Sequence, residues 1–152
     1  MVGNDTISGG SGDDTLFGGD DNDSLEGGAG ADELHGDSGD DTLSGGAGND
    51  IIYGGIDDVT DNSLNDTVNY SARNLSITGT LSEGGNLTVG GTEVDTLYGI
   101  ENIIGSSVAD SIVGSDRDNT LRGMDGADTL AGGDGDDYID GGLDNDTINF
   151  AS

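Results

Sequence analysis

The 152-residue sequence predicts an all-β fold built from stacked two-strand coils, and three observations carry that prediction. The first is a nine-residue period. From Gly9 the chain reads GGSGDDTLF, GGDDNDSLE, GGAGADELH, GDSGDDTLS and GGAGNDIIY, with Asp14, Asp23, Asp32, Asp41 and Asp50 at the sixth position. The eighth position holds Leu16, Leu25, Leu34, Leu43 and Ile52. The second observation is composition: 31 glycines without proline, cysteine or tryptophan, and without the period of three that a collagen triple helix needs. The third is the polar–aliphatic–variable trio after each sixth-position aspartate. It suits a short strand whose eighth residue faces one side and whose seventh and ninth face the other.

Taken in order, residues 1–55 form the first repeat block, which opens at GNDTIS with Asp5 in the sixth slot. Residues 56–104 form a connector in which glycine thins out. There Leu75, Ile77 and Leu81 share one parity, as do Leu87 and Val89, so two short strands are expected with a turn at Gly84-Gly85. The connector reads as a β-rich segment that continues the stack or caps its ends. Residues 105–152 form the second block: GSSVADSIV, GSDRDNTLR, GMDGADTLA, GGDGDDYID and GGLDNDTIN. Its sixth positions are Asp110, Asn119, Asp128, Asp137 and Asp146, its eighth positions Ile112, Leu121, Leu130, Ile139 and Ile148. Ser115 and Met124 stand where the second glycine of the pair is expected. NDTVNYSA (65–72) and NDTINFAS (145–152) match in type at most positions, which suggests alternating blocks and connectors in a longer parent.

Paired glycines make turns with positive φ inexpensive and let backbones approach closely. A trio of strand residues spans roughly 10 Å at ~3.3 Å per residue. One strand and one turn cannot close a coil, whereas two of each can, so the smallest coil takes two nonapeptides. Parallel coils stack ~4.8 Å apart. That places Asp14, Asp32 and Asp50 in one column and Asp5, Asp23 and Asp41 in another.

Those columns need a counter-charge. Two carboxylates ~4.8 Å apart repel by roughly 0.9 kcal/mol at water-like permittivity and ~3.5 kcal/mol at an effective value of 20. The chain carries 32 acidic residues against three basic ones, for a formal charge of −29. Nucleic acid and anionic membranes are therefore poor partners, no apolar run is long enough to enter a membrane, and cations are the natural partner. A calcium–oxygen bond is ~2.3–2.6 Å, so one ion midway between coils spans about 4.6–5.2 Å, matching the stacking distance. Turn carbonyls exposed by the missing glycine side chains can supply further oxygens.

The units GGAGADELH, GGAGNDIIY, GGSGDDTLF and GGDGDDYID follow the pattern GGxGxDxUx, and the chain resembles the RTX (repeats-in-toxin) hemolysin-type calcium-binding nonapeptide family over most of both blocks. The resemblance implies a parallel β-roll, a right-handed β-solenoid, with Ca2+ held between turns. The expected ligands are Asp5, Asp14, Asp23, Asp32, Asp41, Asp50, Asp110, Asn119, Asp128, Asp137 and Asp146, with Asp57 reaching a last ion. Turn oxygens at Gly10, Gly12, Gly19, Gly28, Gly30, Gly39, Gly46, Gly48, Gly126, Gly133 and Gly135 complete the sets. About seven ions are expected, at the pairs Asp5–Asp23, Asp23–Asp41, Asp14–Asp32, Asp32–Asp50, Asp110–Asp128, Asp128–Asp146 and a weaker Asn119–Asp137.

Some positions depart from the pattern. Asp21 and Asp144 replace the fourth-position glycine, and Val59 breaks the column where another aspartate would stand. Asp13, Asp20, Asp37, Asp40, Asp116, Asp118, Asp134 and Asp136 read as solubilising turn residues, and His35 as an outward ninth-position residue without a catalytic or zinc role. The absence of lysine removes GxxxxGK phosphate loops, and no window fits an EF-hand. Six aromatics leave little to shape a substrate, so no enzymatic activity is expected of this chain. The resemblance implies a secreted, extracellular or cell-surface bacterial protein, exported by a type I channel and folded by external calcium. Further repeats or a catalytic domain would be covalently continuous with it. The chain would then serve an enzyme of protease, lipase or alginate-epimerase type as an accessory module, or belong to a large adhesin or surface-layer protein.

Overall fold

The computed structural model describes residues 2–55, 65–82 and 84–150; Asp57 and Val59 lie outside the described residues. The first block supplies β1 (Thr6–Ser11), β2 (Thr15–Asp20), β3 (Ser24–Ala29), β4 (Glu33–Ser38), β5 (Thr42–Ala47) and β6 (Ile51–Gly55). The connector supplies β7 (Thr67–Asn69), β8 (Ile77–Thr80), β9 (Gly85–Val89), β10 (Glu93–Tyr98) and β11 (Asn102–Ile104). The second block supplies β12 (Ser111–Val113), β13 (Thr120–Arg122), β14 (Thr129–Ala131), β15 (Tyr138–Asp140) and β16 (Thr147–Asn149). The fold is all-β, and within each block the strands pair in parallel with a step of two repeats. Leu25 lies opposite Ile7 and Leu43, and Leu34 opposite Leu16 and Ile52.

Two sheets face one another across a single row of aliphatic residues. Leu25, Leu34, Leu43, Ile52, Val68, Leu97, Ile103, Ile112, Leu121 and Leu130 are all buried and form one continuous core. The eighth-position residue therefore points inward at every internal coil, as the strand period requires. Among the described residues, one sheet has seven strands in the order β1-β3-β5-β7-β11-β13-β15. The other has nine, in the order β16-β14-β12-β8-β9-β10-β6-β4-β2. Both sheets run through the connector, so the two blocks belong to one continuous solenoid.

The strand mismatch arises within the connector. β10 pairs parallel with β6, β9 pairs antiparallel with both β10 and β8, and β8 pairs parallel with β12. Gly90 and Gly91, with φ of 59° and 76°, form the reversal between β9 and β10. On the opposite face, β7 pairs directly with β11 and β11 with β13. Two extra strands at ~4.8 Å lengthen one wall by about 10 Å. The turns after β10 and β12 consequently separate, leaving a cleft of about 670 Å³ lined by Leu81, Leu97, Ile100, Glu101, Ser115 and Arg117, among others.

Three sequence expectations need correction. The three-residue strands expected throughout occur in the second block, but β1 to β5 each span six residues, because pairing continues through the glycines as Gly10↔Gly28 and Ser11↔Ala29. Leu75, expected on the same parity as Ile77 and Leu81, is 38% exposed and precedes β8; its side chain lies over Gly90. Of the turn expected at Gly84-Gly85, Gly84 holds φ 66° while Gly85 already belongs to β9.

Candidate metal sites between the turns

From Asp23 onward, the sixth-position carboxylates are anchored by the preceding coil. The Asp14 N–H donates to Asp32 Oδ1 at 2.9 Å and the Asp32 N–H to Asp50 Oδ1 at 2.9 Å. The other column repeats this, from Asp5 to Asp23 and from Asp23 to Asp41, both at 2.7 Å. In the second block the same bond links Asp110 to Asp128 at 2.7 Å, Asn119 to Asp137 at 3.0 Å and Asp128 to Asp146 at 3.0 Å. Every pair expected from the sequence is thus brought together with its two-repeat offset.

The second oxygen of most of these carboxylates has no donor. Among the described residues, Oδ2 of Asp5, Asp14, Asp23, Asp32, Asp41, Asp50, Asp66 and Asp128 is buried without a hydrogen-bond partner. A buried unpaired carboxylate oxygen costs several times what a typical hydrogen bond contributes. Those of Asp14, Asp23, Asp32, Asp41, Asp50 and Asp128 turn toward the first glycine of their own repeat. A Cβ at Gly9 would lie 2.6 Å from Asp14 Oδ2 and 2.7 Å from the carbonyl oxygen of Gly27 in the next coil. The first glycine is therefore required by close approach, because any side chain there would fill the space between two oxygens.

The second and fourth glycines shape the rest of the turn. All those predicted to lend oxygens hold positive φ, from 98° at Gly46 to 145° at Gly30, through Gly10, Gly12, Gly19, Gly28, Gly39, Gly48, Gly126, Gly133 and Gly135. A Cβ at Gly28 would collide with the carbonyl of Gly10, and one at Gly30 with that of Gly12. Turn carbonyls thus point along the solenoid axis into the gap before the next turn. No group of three or more acidic or histidine side chains converges on a point among the described residues. A cation held here would therefore draw on carbonyl oxygens as well as aspartate, a donor set suited to a hard ion such as Ca2+. The orphaned oxygens and glycine cradles fit such an ion.

The RTX calcium-binding nonapeptide repeat matches the chain in four copies, over residues 2–34, 26–60 and 113–148. The chain belongs to this family. No curated protein matches it. RTX repeats bind calcium, so the orphaned Oδ2 atoms within the matched residues lie in turns of the type that holds it.

The structure extends the RTX columns beyond the predicted residues. Asp41 N–H donates to Asp66 Oδ1 at 2.8 Å, Asp50 N–H to Asp95 Oδ1 at 3.0 Å, and Asp66 N–H to Glu101 Oε2 at 3.1 Å. Sequence reasoning missed all three connector acids, although Asp66-Thr67-Val68 and Asp95-Thr96-Leu97 repeat the Asp14-Thr15-Leu16 pattern and mark the slot. Asp95 stands in nine-residue register with Asp50, and Glu101 with Asp110, so only Asp66 lies outside the frame.

The connector and the start of the second block provide their own donors. Asp95 Oδ2 accepts the Tyr70 hydroxyl at 2.7 Å, and Arg73 donates to the Gly46 carbonyl and pairs with Glu93. Asp110 accepts from the Ile77 N–H on Oδ1 and from the Ser106 N–H on Oδ2, each at 2.7 Å, and from Ser106 Oγ on Oδ1 at 2.9 Å. Asn119 Oδ1 accepts the Ser115 N–H at 2.6 Å, while its amide nitrogen donates to the Glu101 carbonyl at 2.7 Å.

Some residues read as solubilising have a further role. Asp13 Oδ1 accepts the Ala31 N–H at 2.9 Å, and Asp118 Oδ1 accepts that of Asp136 at 2.7 Å. Asp40 Oδ1 accepts from Asn65 at 3.1 Å. Fifth-position side chains therefore bond forward to the next coil while sixth-position side chains bond backward. His35 is outward as expected, but its ring stacks between Phe17 and Tyr53, centroids 4.6 Å apart on each side.

Burial governs the charge state of the columns. It raises Asp50 to about 6 and Asp66 to about 7, with adjacent carboxylates adding to the rise against the lowering effect of the backbone bonds. Asp41, Asp95, Asp110 and Asp128 move in the same direction, also through burial. Without a cation, burial draws these sites toward the protonated form.

Proposed function

We propose that this chain is a calcium-triggered folding module of a larger bacterial extracellular protein. The observation that carries the reading is the row of buried, donorless Asp Oδ2 atoms, repeated coil after coil with turn carbonyls directed into the same gaps. In a chain of formal charge −29, a divalent cation in each gap would offset carboxylate repulsion and occupy the orphaned oxygens. Calcium that binds the folded form and not the unfolded one stabilises by mass action, so metal affinity becomes folding free energy.

Asp5, Asp14, Asp23, Asp32, Asp41, Asp50 and Asp128 would hold ions together with the axial turn carbonyls. Low cytosolic calcium would leave the chain extended and able to thread a type I export channel, and higher external calcium would fold it outside. A binding and folding role is proposed for it rather than a catalytic one.

A segment of a large adhesin or surface-layer array is favoured over an accessory module of a secreted enzyme by the match between NDTVNYSA and NDTINFAS. The two copies enter opposite sheets, through β7 and β16. A calcium titration followed by far-UV circular dichroism tests the folding mechanism. Gain of β signal with millimolar calcium is expected, and a spectrum already folded in excess chelator and unmoved by calcium would falsify it.

A further inference from the structure

We propose that Asp66 forms an additional divalent-cation site outside the nonapeptide repeats, joining the first block to the connector. The inference rests on the calcium reading above and extends it to a segment that no repeat covers, since the matched residues end at 60 and resume at 113.

Spacing alone would not place such a site. Inside the repeats the column aspartate stands four positions after the second glycine of its turn, as Asp14 follows Gly10, and successive column members are two repeats apart. Asp66 is separated from Gly54, and from Asp41, by much longer stretches than the repeat allows. The fold nevertheless restores the repeat's arrangement. Asp66 Oδ1 accepts the Asp41 N–H at 2.8 Å, as Asp41 Oδ1 accepts that of Asp23. Its backbone carbonyl accepts the Asn102 N–H at 2.9 Å, just as that of Asp14 accepts the Glu33 N–H. A Cβ at Gly54 would lie 2.6 Å from Asp66 Oδ2 and would also meet the Gly99 carbonyl oxygen, reproducing the trio of Gly9, Asp14 and Gly27 from unrelated sequence.

The decisive feature is what Asp66 lacks. It is 1% exposed, yet its Oδ2 has no donor. Asp95 occupies the corresponding slot of the other column, is equally buried, and is capped by Tyr70. Asp110 is capped by Ser106. The connector and the start of the second block therefore supply donors at neighbouring column positions and leave Asp66 open. Glu101 stands next in the same column, where it accepts the Asp66 N–H on Oε2 and pairs with Arg117 through Oε1 at 3.2 Å. Carboxylate and carbonyl oxygens without nitrogen or sulfur favour Ca2+ or a lanthanide over zinc.

Isothermal titration with calcium chloride, on the whole chain and on Asp66→Asn and Asp32→Asn, tests the site. Asparagine keeps the Oδ1 acceptor for the Asp41 N–H and replaces only the orphaned oxygen. The expected result is that Asp66→Asn binds one ion fewer than wild type, with Asp32→Asn confirming that column ions are counted. Unchanged stoichiometry and affinity in Asp66→Asn, beside a loss in Asp32→Asn, overturns this inference alone. No binding by the wild type overturns the calcium reading itself. If Asp66→Asn does not fold in calcium, crystals of the wild type soaked in terbium decide by anomalous scattering. A peak beside Asp66 and Gly99 supports the site, and peaks beside Asp23 and Asp41 without one there overturn it.

Discussion

The two repeat blocks share one sequence pattern but handle the same buried charge differently. In the first block Asp14, Asp23, Asp32, Asp41 and Asp50 each keep an oxygen without a donor. At the start of the second, Asp110 and Asn119 have protein donors on their side chains. The difference lies at the second position of the turn. Gly10, Gly19, Gly28 and Gly46 adopt positive φ there. Ser106 and Ser115 instead direct backbone N–H and hydroxyl groups to the sixth-position side chain of their own turn. The backbone of the turn thus decides whether the column side chain receives a donor from its own coil. A glycine turn leaves an oxygen for the ion, and a serine turn fills that role itself.

Metal removal should expose this asymmetry most strongly. In chelator, amide hydrogen exchange is expected to lose protection across β1 to β6 while β8, β10, β12 and their neighbours retain more of theirs; uniform loss along the chain would break the comparison. Within the first block, Asp32 N–H and Oδ1 bond to the coils after and before it, whereas Asp14 bonds only to the coil after. Asp32→Ala should therefore remove two ions from the calorimetric stoichiometry and Asp14→Ala one. Equal losses would count against sites shared between successive coils.

Protonation offers a third lever. Folded-state values raised above the ordinary 3.8, to about 6 at Asp50 and about 7 at Asp66, mean that the metal-free fold holds protons its unfolded chain has released. That stabilisation is complete below about pH 4 and is lost as pH rises through about 6 and 7. Metal-free protein should thus show more β signal by circular dichroism at about pH 4.5 than at about pH 8, and an identical spectrum at both would remove the link. In calcium the order reverses, since protons compete for the same oxygens.

Smaller effects sharpen the serine–glycine contrast. Ser106→Gly removes the hydroxyl bond to Asp110 Oδ1 while keeping the backbone N–H bond to Oδ2, and should destabilise the chelated protein by about 0.5–1.5 kcal/mol in urea unfolding. Met124 occupies a second position with φ 83°, a conformation costly for a side chain of its size. Met124→Gly should stabilise by roughly 1 kcal/mol in the same assay, because it removes that strain.

Much of the candidate site was legible because its elements recur. Asp14, Asp32 and Asp50 share a column only if a coil takes two repeats, and the length of one strand and one turn required that on its own. Asp66 escaped because it falls outside the nine-residue frame, whereas Asp95 and Glu101 stand in register with Asp50 and Asp110, and the Asp-Thr-aliphatic pattern persists at Asp66 and Asp95. Tyr70 as the cap of Asp95 had no sequence signal, since the two lie far apart in the chain and meet only through folding. The fifth-position ladder of Asp13 and Asp118 was hidden for another reason: an exposed aspartate in a turn looks the same whether it faces water or an amide of the next coil.

By itself the sequence determined the coil length, the inward aliphatic row and the identity of the column carboxylates within the two repeat blocks. Each follows from local periodicity and from what glycine alone permits at a turn. Tertiary structure decided that the blocks form one solenoid, that one wall carries two more strands than the other, and which buried oxygens receive a donor. Those outcomes depend on contacts between residues far apart in the chain, where the register of one strand against another, and not the local pattern, selects the partner.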